Sequence, residues 1–332
     1  MSDPRFSLLN EWLTQHQASH PISVAGDASF RRYFRVTQST DEGSRSLIAM
    51  DAPPDKEDSS PFVERARALL AEGIRAPELV AVDLEQGFML LEDFGDRQLL
   101  SKLDTTTVEA YYGRAMDDLL KLQTHMDTRE LGDYDSDLLQ REMSLFDEWL
   151  LEKHLEVRLE DNERRILNIS YRMLEANALE QPQVFVHRDY HSRNLMVLSE
   201  QPPELGMIDF QDAVAGPITY DLVSLLRDCY IEWPRQRVEE WVADYHLRAV
   251  EAGLTHTDGE TFLRWFDWMG VQRHLKAAGI FARLKHRDGK VGYLGDIPRT
   301  LGYILDVCQR YDTLKPFAAL LLKRQIAERV AA

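Results

Sequence analysis

The hydrophobic pattern of this 332-residue chain changes its period near residue 93. Before that point the pattern is typical of short β-strands: Phe30, Arg32, Phe34 and Val36 fall on one face at a period of two, and residues 47–50 form a short apolar run. Beyond it, apolar residues recur at helical spacing for about ninety residues, for example over residues 108–122. We therefore expect an α+β chain with a small β-rich N-terminal lobe, residues 1–93, and a large, mainly helical C-terminal lobe, residues 94–332.

The charge and the apolar runs exclude several classes of function. Acidic residues outnumber basic ones by 56 to 39, and a net charge of −17 repels nucleic acids and anionic membranes. The longest strongly apolar run, residues 317–322, is far shorter than the ~20 residues that span a bilayer, and no signal peptide is visible. Cys229 and Cys308 stand apart, without metal-ligand spacing. We expect a cytoplasmic monomer that binds neither nucleic acid nor a membrane.

A short strand-rich segment interrupts the helices between residues 183 and 210. It carries the polar run HRDYHSRN at residues 187–194, and Asp209 follows Asn194 by fifteen residues. An Asp at the mouth of such a loop can accept a proton from a substrate hydroxyl, and Asn and Asp oxygens suit Mg²⁺. The spacing H-x-D-x-x-x-x-N, followed by Asp-Phe after an apolar strand, matches the catalytic pattern of protein kinases. The segment therefore predicts phosphoryl transfer.

The pattern more closely resembles the aminoglycoside phosphotransferase and choline kinase-like family of small-molecule kinases. Residues 26–36 are similar to the nucleotide-binding hairpin of that family, residues 90–94 to its lobe-connecting hinge, and residues 216–222 to the segment after its metal-binding Asp. The resemblance covers most of the chain. It implies a protein-kinase-like two-lobe fold with ATP and Mg²⁺ as cofactors.

The resemblance also implies a role for each matching residue. Asp189 would be the catalytic base, His187 would organise its loop, and Asn194 and Asp209 would bind Mg²⁺. The cofactor-binding residues would be Ala28, Ser29, Arg31, Arg32, Glu64, Glu92 and Phe94. The candidates for contact with the acceptor are His191, Arg193, Asp212 and Arg227.

One position departs from the kinase pattern. The third strand should carry a lysine that binds the phosphates and pairs with Glu64, but Met50 takes its place. A guanidinium can also neutralise phosphate or pair with a carboxylate. We therefore hypothesise that Arg31, Arg32 or Arg35 supplies the missing charge.

The acceptor is inferred from the resemblance alone. Within the family the segments look like kinases that phosphorylate the anomeric hydroxyl of N-acetylmuramate and N-acetylglucosamine in peptidoglycan recycling, giving sugar 1-phosphates. Kinases of aminoglycosides, choline or homoserine are alternatives. So are a metallohydrolase with His187, Asp189, His191 and Asp209 as ligands, and a pseudokinase that binds nucleotide without transferring phosphate.

A basic stretch stands out in this acidic chain. Its members are Arg273, His274, Lys276, Arg283, Lys285, His286 and Arg287. Such a run is typical of a solvent-exposed helix face. The alternative interpretation is that it attracts an anionic substrate, such as a lactyl sugar acid.

Overall fold

The computed structural model describes residues 3–24, 30–41 and 43–331, so Ala28 and Ser29 lie outside the described residues. Within that part of the chain the strands are β1 (Ala18–Ser23), β2 (Arg32–Thr40), β3 (Gly43–Asp51), β4 (Leu79–Asp83), β5 (Phe88–Glu92), β6 (Gln183–Val186), β7 (Leu195–Glu200), β8 (Pro203–Met207) and β9 (Val214–Pro217). The helices are α1 (Pro4–Gln15), α2 (Ser60–Ala71), α3 (Val108–His125), α4 (Ser136–Leu145), α5 (Asp161–Leu179), α6 (Tyr220–Leu226), α7 (Arg235–Glu251), α8 (Gly259–Asp288), α9 (Ile297–Arg310), α10 (Lys315–Lys323) and α11 (Ile326–Ala331). Strands dominate the start of the chain and helices the rest, which confirms the predicted α+β class.

The chain divides into two compact units, residues 1–114 with 193–211 and residues 115–192 with 212–332. The sequence instead predicts a single boundary after residue 93. The difference has a physical cause, because the hairpin of β7 and β8 is hydrogen-bonded to the first unit. Val197 N–H donates to the Arg97 carbonyl at 2.7 Å, and Met207 N–H donates to the Arg75 carbonyl at 2.8 Å.

The first unit is built on an antiparallel sheet. Among its described residues, five strands pair in the order β1-β2-β3-β5-β4. The inner face of the sheet buries Phe34 and Val36 against Leu9, Trp12 and Leu13 of α1. Alternation along β2 therefore places its apolar side chains on one face, as the sequence pattern indicates.

The second unit is organised around α8, whose thirty residues are mostly buried. Helices α4, α5, α6 and α9 pack against it, together with a π-helical segment, Phe146–His154. The core between them contains Phe146, Leu275 and Ile304, each fully buried. Within the described residues no helix combines the length and the apolar character needed to cross a membrane.

Gly279 permits close packing in this core, and its replacement should destabilise the protein. A Cβ atom at Gly279 would overlap the main-chain carbonyl of Leu145, whereas one at the exposed Gly302 of α9 would have no neighbour within 4 Å. We expect Gly279→Ala to lower the free energy of unfolding by about 2 kcal/mol. Gly302→Ala should raise it by up to about 1 kcal/mol, because alanine favours the helix. Urea denaturation of both variants would check this, and equal effects would contradict the close-packing argument.

Candidate active site

The loop at residues 187–194 starts where β6 ends, and His187 organises its first turn. The His187 side chain is fully buried, with its ring edge-on to Tyr190 at 5.9 Å between centroids. Its Nδ1 accepts from the Asp189 main-chain N–H at 3.3 Å. The Tyr190 hydroxyl donates to the Ala115 carbonyl at 2.8 Å, which holds the loop against α3. These contacts fit the predicted organising role of His187.

Asp221 anchors the same loop from the first turn of α6. Its fully buried carboxylate accepts from the main-chain N–H groups of His187, at 2.6 Å, and Arg188, at 3.1 Å. Arg188 has a φ of 76°, a backbone conformation that residues other than glycine seldom adopt. Burial raises the pKa of Asp221 to about 7, against the effect of the two hydrogen bonds and with a contribution from the charge of Asp189. Asp221 therefore stabilises a strained turn immediately before Asp189.

The carboxylate of Asp189 is half-buried and surrounded by basic groups. Burial works to raise the pKa of Asp189, but the charges of Lys276, His191, Arg273 and His187 outweigh it and hold the pKa below its ordinary value. Asp189 is therefore ionised at neutral pH, the state in which it can orient a hydroxyl and accept its proton.

A buried carboxylate, Glu142, balances two cations close to this loop. It forms ion pairs with Arg188 and with Lys276, whose Nζ lies 3.0 Å from Glu142 Oε1, and it accepts from the Tyr134 hydroxyl. Lys276 Nζ also donates to the Tyr220 hydroxyl at 3.0 Å. No sequence pattern predicts a role for Glu142 near this loop. Lys276 stands out in the sequence only as a member of the basic stretch.

In the first unit, the predicted metal ligands Asn194 and Asp209 lie next to each other. Asn194 Nδ2 donates to Asp209 Oδ2 at 3.3 Å, and Gln211 Nε2 donates to Asp209 Oδ1 at 2.7 Å. Asp209 has a φ of 69°, so this position is strained in the same way as Arg188. One carboxylate and one amide suit Mg²⁺, which takes its remaining ligands from water and phosphate.

A transition-metal centre has less support. In the part of the chain that the structure describes, no group of three or more His, Cys, Asp or Glu side chains is arranged to hold a metal ion. Such centres need several protein ligands. Among the described residues, the four proposed ligands of the metallohydrolase alternative do not form such a group.

Arg31 is the hairpin arginine that lies near Asp209. Its side chain is 6% exposed, forms an ion pair with Glu57 and lies 6.0 Å from the centroid of the Phe62 ring. Burial works to lower the pKa of Arg31, but Tyr33, Glu57 and Asp209 outweigh it and raise the pKa. A permanently charged guanidinium is thus held close to Asp209, the predicted metal ligand.

The other two hairpin arginines, Arg32 and Arg35, form ion pairs with other carboxylates. Arg32 forms ion pairs with Asp3 and with the buried Asp51. Arg35 bridges two carboxylates that follow β5, Asp93 at 2.7 Å and Asp96 at 2.8 Å.

The position of Glu64 differs from the kinase pattern. Helix α2 buries Phe62, Val63, Ala66 and Leu69, so Glu64 is on its exposed face. Among the described residues its side chain makes no hydrogen bond or ion pair, and its cofactor role stays a prediction.

The hinge is packed against the hairpin of β7 and β8. Glu92 accepts from Arg75, whose guanidinium lies 5.1 Å from the centroid of the Phe94 ring. Phe94 is buried, and a Cβ at Gly206 would overlap its ring. The glycine in β8 therefore makes room for Phe94.

The acceptor candidates have different environments. His191 is half-buried, with its ring edge-on to Tyr230 at 5.5 Å. Arg193 is half-buried and Asp212 is exposed. Arg227 is buried and pairs with Asp306 at 3.0 Å, so its charge is already compensated.

Comparison with known proteins identifies close sequence relatives. Residues 22–265 match the model of the phosphotransferase enzyme family. The chain is 43% identical to the N-acetylmuramate/N-acetylglucosamine kinase of Pseudomonas aeruginosa, with 96% of each chain covered. It is 42% identical to the enzyme of the same name from Pseudomonas putida, covering 92% of this chain and 89% of the relative.

Solved structures show the same fold at low sequence identity. An ethanolamine kinase of Plasmodium vivax matches 90% of this chain and 87% of its own, with a TM-score of 0.64 and 10% identity. A choline kinase of Streptococcus pneumoniae matches 92% of this chain and 100% of its own, with a TM-score of 0.64 and 14% identity. The predicted protein-kinase-like fold is confirmed.

Removal of one acceptor at Asp221 should loosen the loop. In Asp221→Asn a single oxygen faces two N–H groups, so one buried donor loses its partner. We expect the main-chain amides of residues 187–192 to exchange hydrogen about tenfold faster or more. The exposed Asp258, which caps α8 by accepting from Thr261 N–H at 2.8 Å, provides the control Asp258→Asn. Unchanged exchange over residues 187–192 in Asp221→Asn would refute the anchoring role.

Proposed function

Because the chain belongs to the phosphotransferase enzyme family, we propose that it transfers the γ-phosphoryl group of ATP to the anomeric hydroxyl of N-acetylmuramate and N-acetylglucosamine. The product is the sugar 1-phosphate, and the reaction serves peptidoglycan recycling. Relatives at 42–43% identity over nine-tenths of the chain carry that name, which supports the acceptor. We also propose that the protein works as a monomer in the cytoplasm, where ATP is made.

The observation that best supports phosphoryl transfer is the ionised carboxylate of Asp189, which lies on a loop that Asp221 holds in place. Asp189 would accept the proton of the acceptor hydroxyl as the new oxygen–phosphorus bond forms and the bond to ADP breaks. An anomeric hydroxyl is more acidic than an ordinary alcohol, so a carboxylate of low pKa suffices as the base. Orientation of the hydroxyl then contributes a large part of the rate.

Asn194 and Asp209 are the proposed ligands of Mg²⁺. When bound, the ion neutralises charge on the phosphate oxygens during transfer. The pairing of Gln211 with Asp209 Oδ1 orients the carboxylate and leaves Asn194 facing its other oxygen. Rotation of the Asn194 amide would turn its oxygen toward the same position.

Arg31 is the proposed replacement for the missing strand lysine. Met50, which occupies the expected position on β3, is fully buried and apolar. Arg31 has the charge, and Glu57 holds its guanidinium as a helix glutamate holds the lysine in kinases. We infer that Arg31 contacts the phosphates of ATP.

Phosphorus-31 NMR with Mg-ATP tests the reaction directly. With N-acetylmuramate or N-acetylglucosamine the wild type should give a sugar 1-phosphate signal, whereas Asp189→Asn should lower the rate by about 10²–10⁴-fold, because the base is lost. Asp137→Asn, which changes an exposed carboxylate, is the matched control. Transfer to choline, homoserine or kanamycin alone would overturn the acceptor assignment. ATP left intact with every acceptor would favour a pseudokinase.

The arginine assignment makes a separate kinetic prediction. Arg31→Ala should raise the KM for ATP at least tenfold, because a charge-assisted contact to phosphate is lost, and Arg31→Lys should recover part of the affinity. Arg32→Ala should leave that KM within about threefold, because Arg5 still pairs with Asp51 at 2.6 Å. The assignment fails if Arg31→Ala binds ATP as tightly as the wild type does.

A further inference from the structure

Arg273, in the middle of α8, carries a buried charge without an ion-pair partner in the described part of the chain. Its side chain is 6% exposed. Nη1 donates to Cys229 Sγ at 3.7 Å, and Nε has no hydrogen-bond acceptor. A guanidinium offers five N–H donors, and its burial without an anion is strongly unfavourable. Among the described contacts, the guanidinium of Arg273 therefore retains N–H donors that an anionic ligand group could use.

The carboxylates around Arg273 are engaged by other groups. Asp228 accepts from the main-chain N–H groups of Ser192 and Tyr230, both at 3.0 Å, and from the Ser192 hydroxyl at 2.5 Å. Lys276, one turn further along α8, shows the contrast, since its ammonium is paired with Glu142. Burial works to lower the pKa of Arg273, but nearby groups, among them Asp189 and Asp228, outweigh it and raise the pKa. Among the described contacts Lys276 has a direct carboxylate partner, whereas Arg273 has charged neighbours and no direct ion pair.

Arg273 also lies beside the catalytic loop. Cys229, which contacts its guanidinium, directly follows Asp228, and Asp228 holds Ser192 of that loop. The charge of Arg273 contributes to the lowered pKa of Asp189. A ligand group bound by Arg273 would therefore be close to the hydroxyl that Asp189 activates.

We propose that Arg273 binds the carboxylate of an acidic sugar acceptor and so sets the preference between N-acetylmuramate and N-acetylglucosamine. The inference rests on the proposed function. The two sugars differ at the 3-oxygen, which carries a lactyl group with a carboxylate in one and a hydrogen in the other. A planar guanidinium matches a carboxylate with two parallel hydrogen bonds, which an ammonium does not reproduce.

The test is a ratio measured within each variant. Arg273→Gln should lower kcat/KM for N-acetylmuramate at least tenfold more than kcat/KM for N-acetylglucosamine, and Arg273→Lys should give an intermediate ratio. Because both sugars meet the same enzyme preparation, partial unfolding cancels in the ratio. Arg264→Gln, on the same helix and paired with Glu180, is the control and should keep the wild-type ratio.

An equal loss for both sugars would overturn the inference, since it would mean that Arg273 acts on the transferred phosphate or on Asp189. A second measurement needs no variant. The uncharged carboxamide of N-acetylmuramate should be at least tenfold poorer than the acid as a substrate of the wild type, and equal rates would again refute the role. If the wild type phosphorylates neither sugar, the proposed function itself fails, and this inference fails with it.

Discussion

A buried carboxylate that accepts two main-chain N–H groups holds the catalytic loop in its conformation. Asp221 binds the amides of His187 and Arg188, and Arg188 has a φ that few residues other than glycine adopt. The strain of that turn is tolerated because hydrogen bonds on either side of it leave the chain no equivalent alternative. The direction in which Asp189 projects is thus set by a residue 32 positions later in the chain.

The same loop lies in an unusually charged interior, and the balance of those charges explains how Asp189 stays ionised. Burial alone would raise its pKa and keep its proton. Lys276 and Arg273 reverse that effect, and Glu142 prevents the buried cations from repelling one another by pairing with Lys276 and Arg188. Removal of Glu142 would leave buried charges unpaired, which costs several kcal/mol. The same polar network therefore stabilises the fold and lowers the pKa of Asp189.

Parts of this arrangement could be predicted from the sequence because they depend on local spacing. The period change gives the α+β class, and the spacing of residues 187–194 with Asp209 indicates a kinase-like loop. The position of Glu64 was not foreseen, although the apolar positions of α2 already place it outward. Glu142 could not be found, because it reaches the loop from a helix far away in sequence and carries no short-range pattern. Arg273 stood out only as one member of the basic stretch, which does not show which of its residues lies beside the loop.

The missing lysine is the main departure from the kinase pattern, and we propose that Arg31 compensates for it. In protein kinases a central strand carries the cation, and a helix carries the carboxylate that positions it. Here the strand position is a buried Met50, and the cation, Arg31, immediately precedes β2 instead. Its partner Glu57 belongs to the segment between β3 and α2, whereas Glu64 lies on the exposed face of α2. Arginine suits this role because its guanidinium is always charged and can donate hydrogen bonds to a carboxylate and a phosphate at the same time.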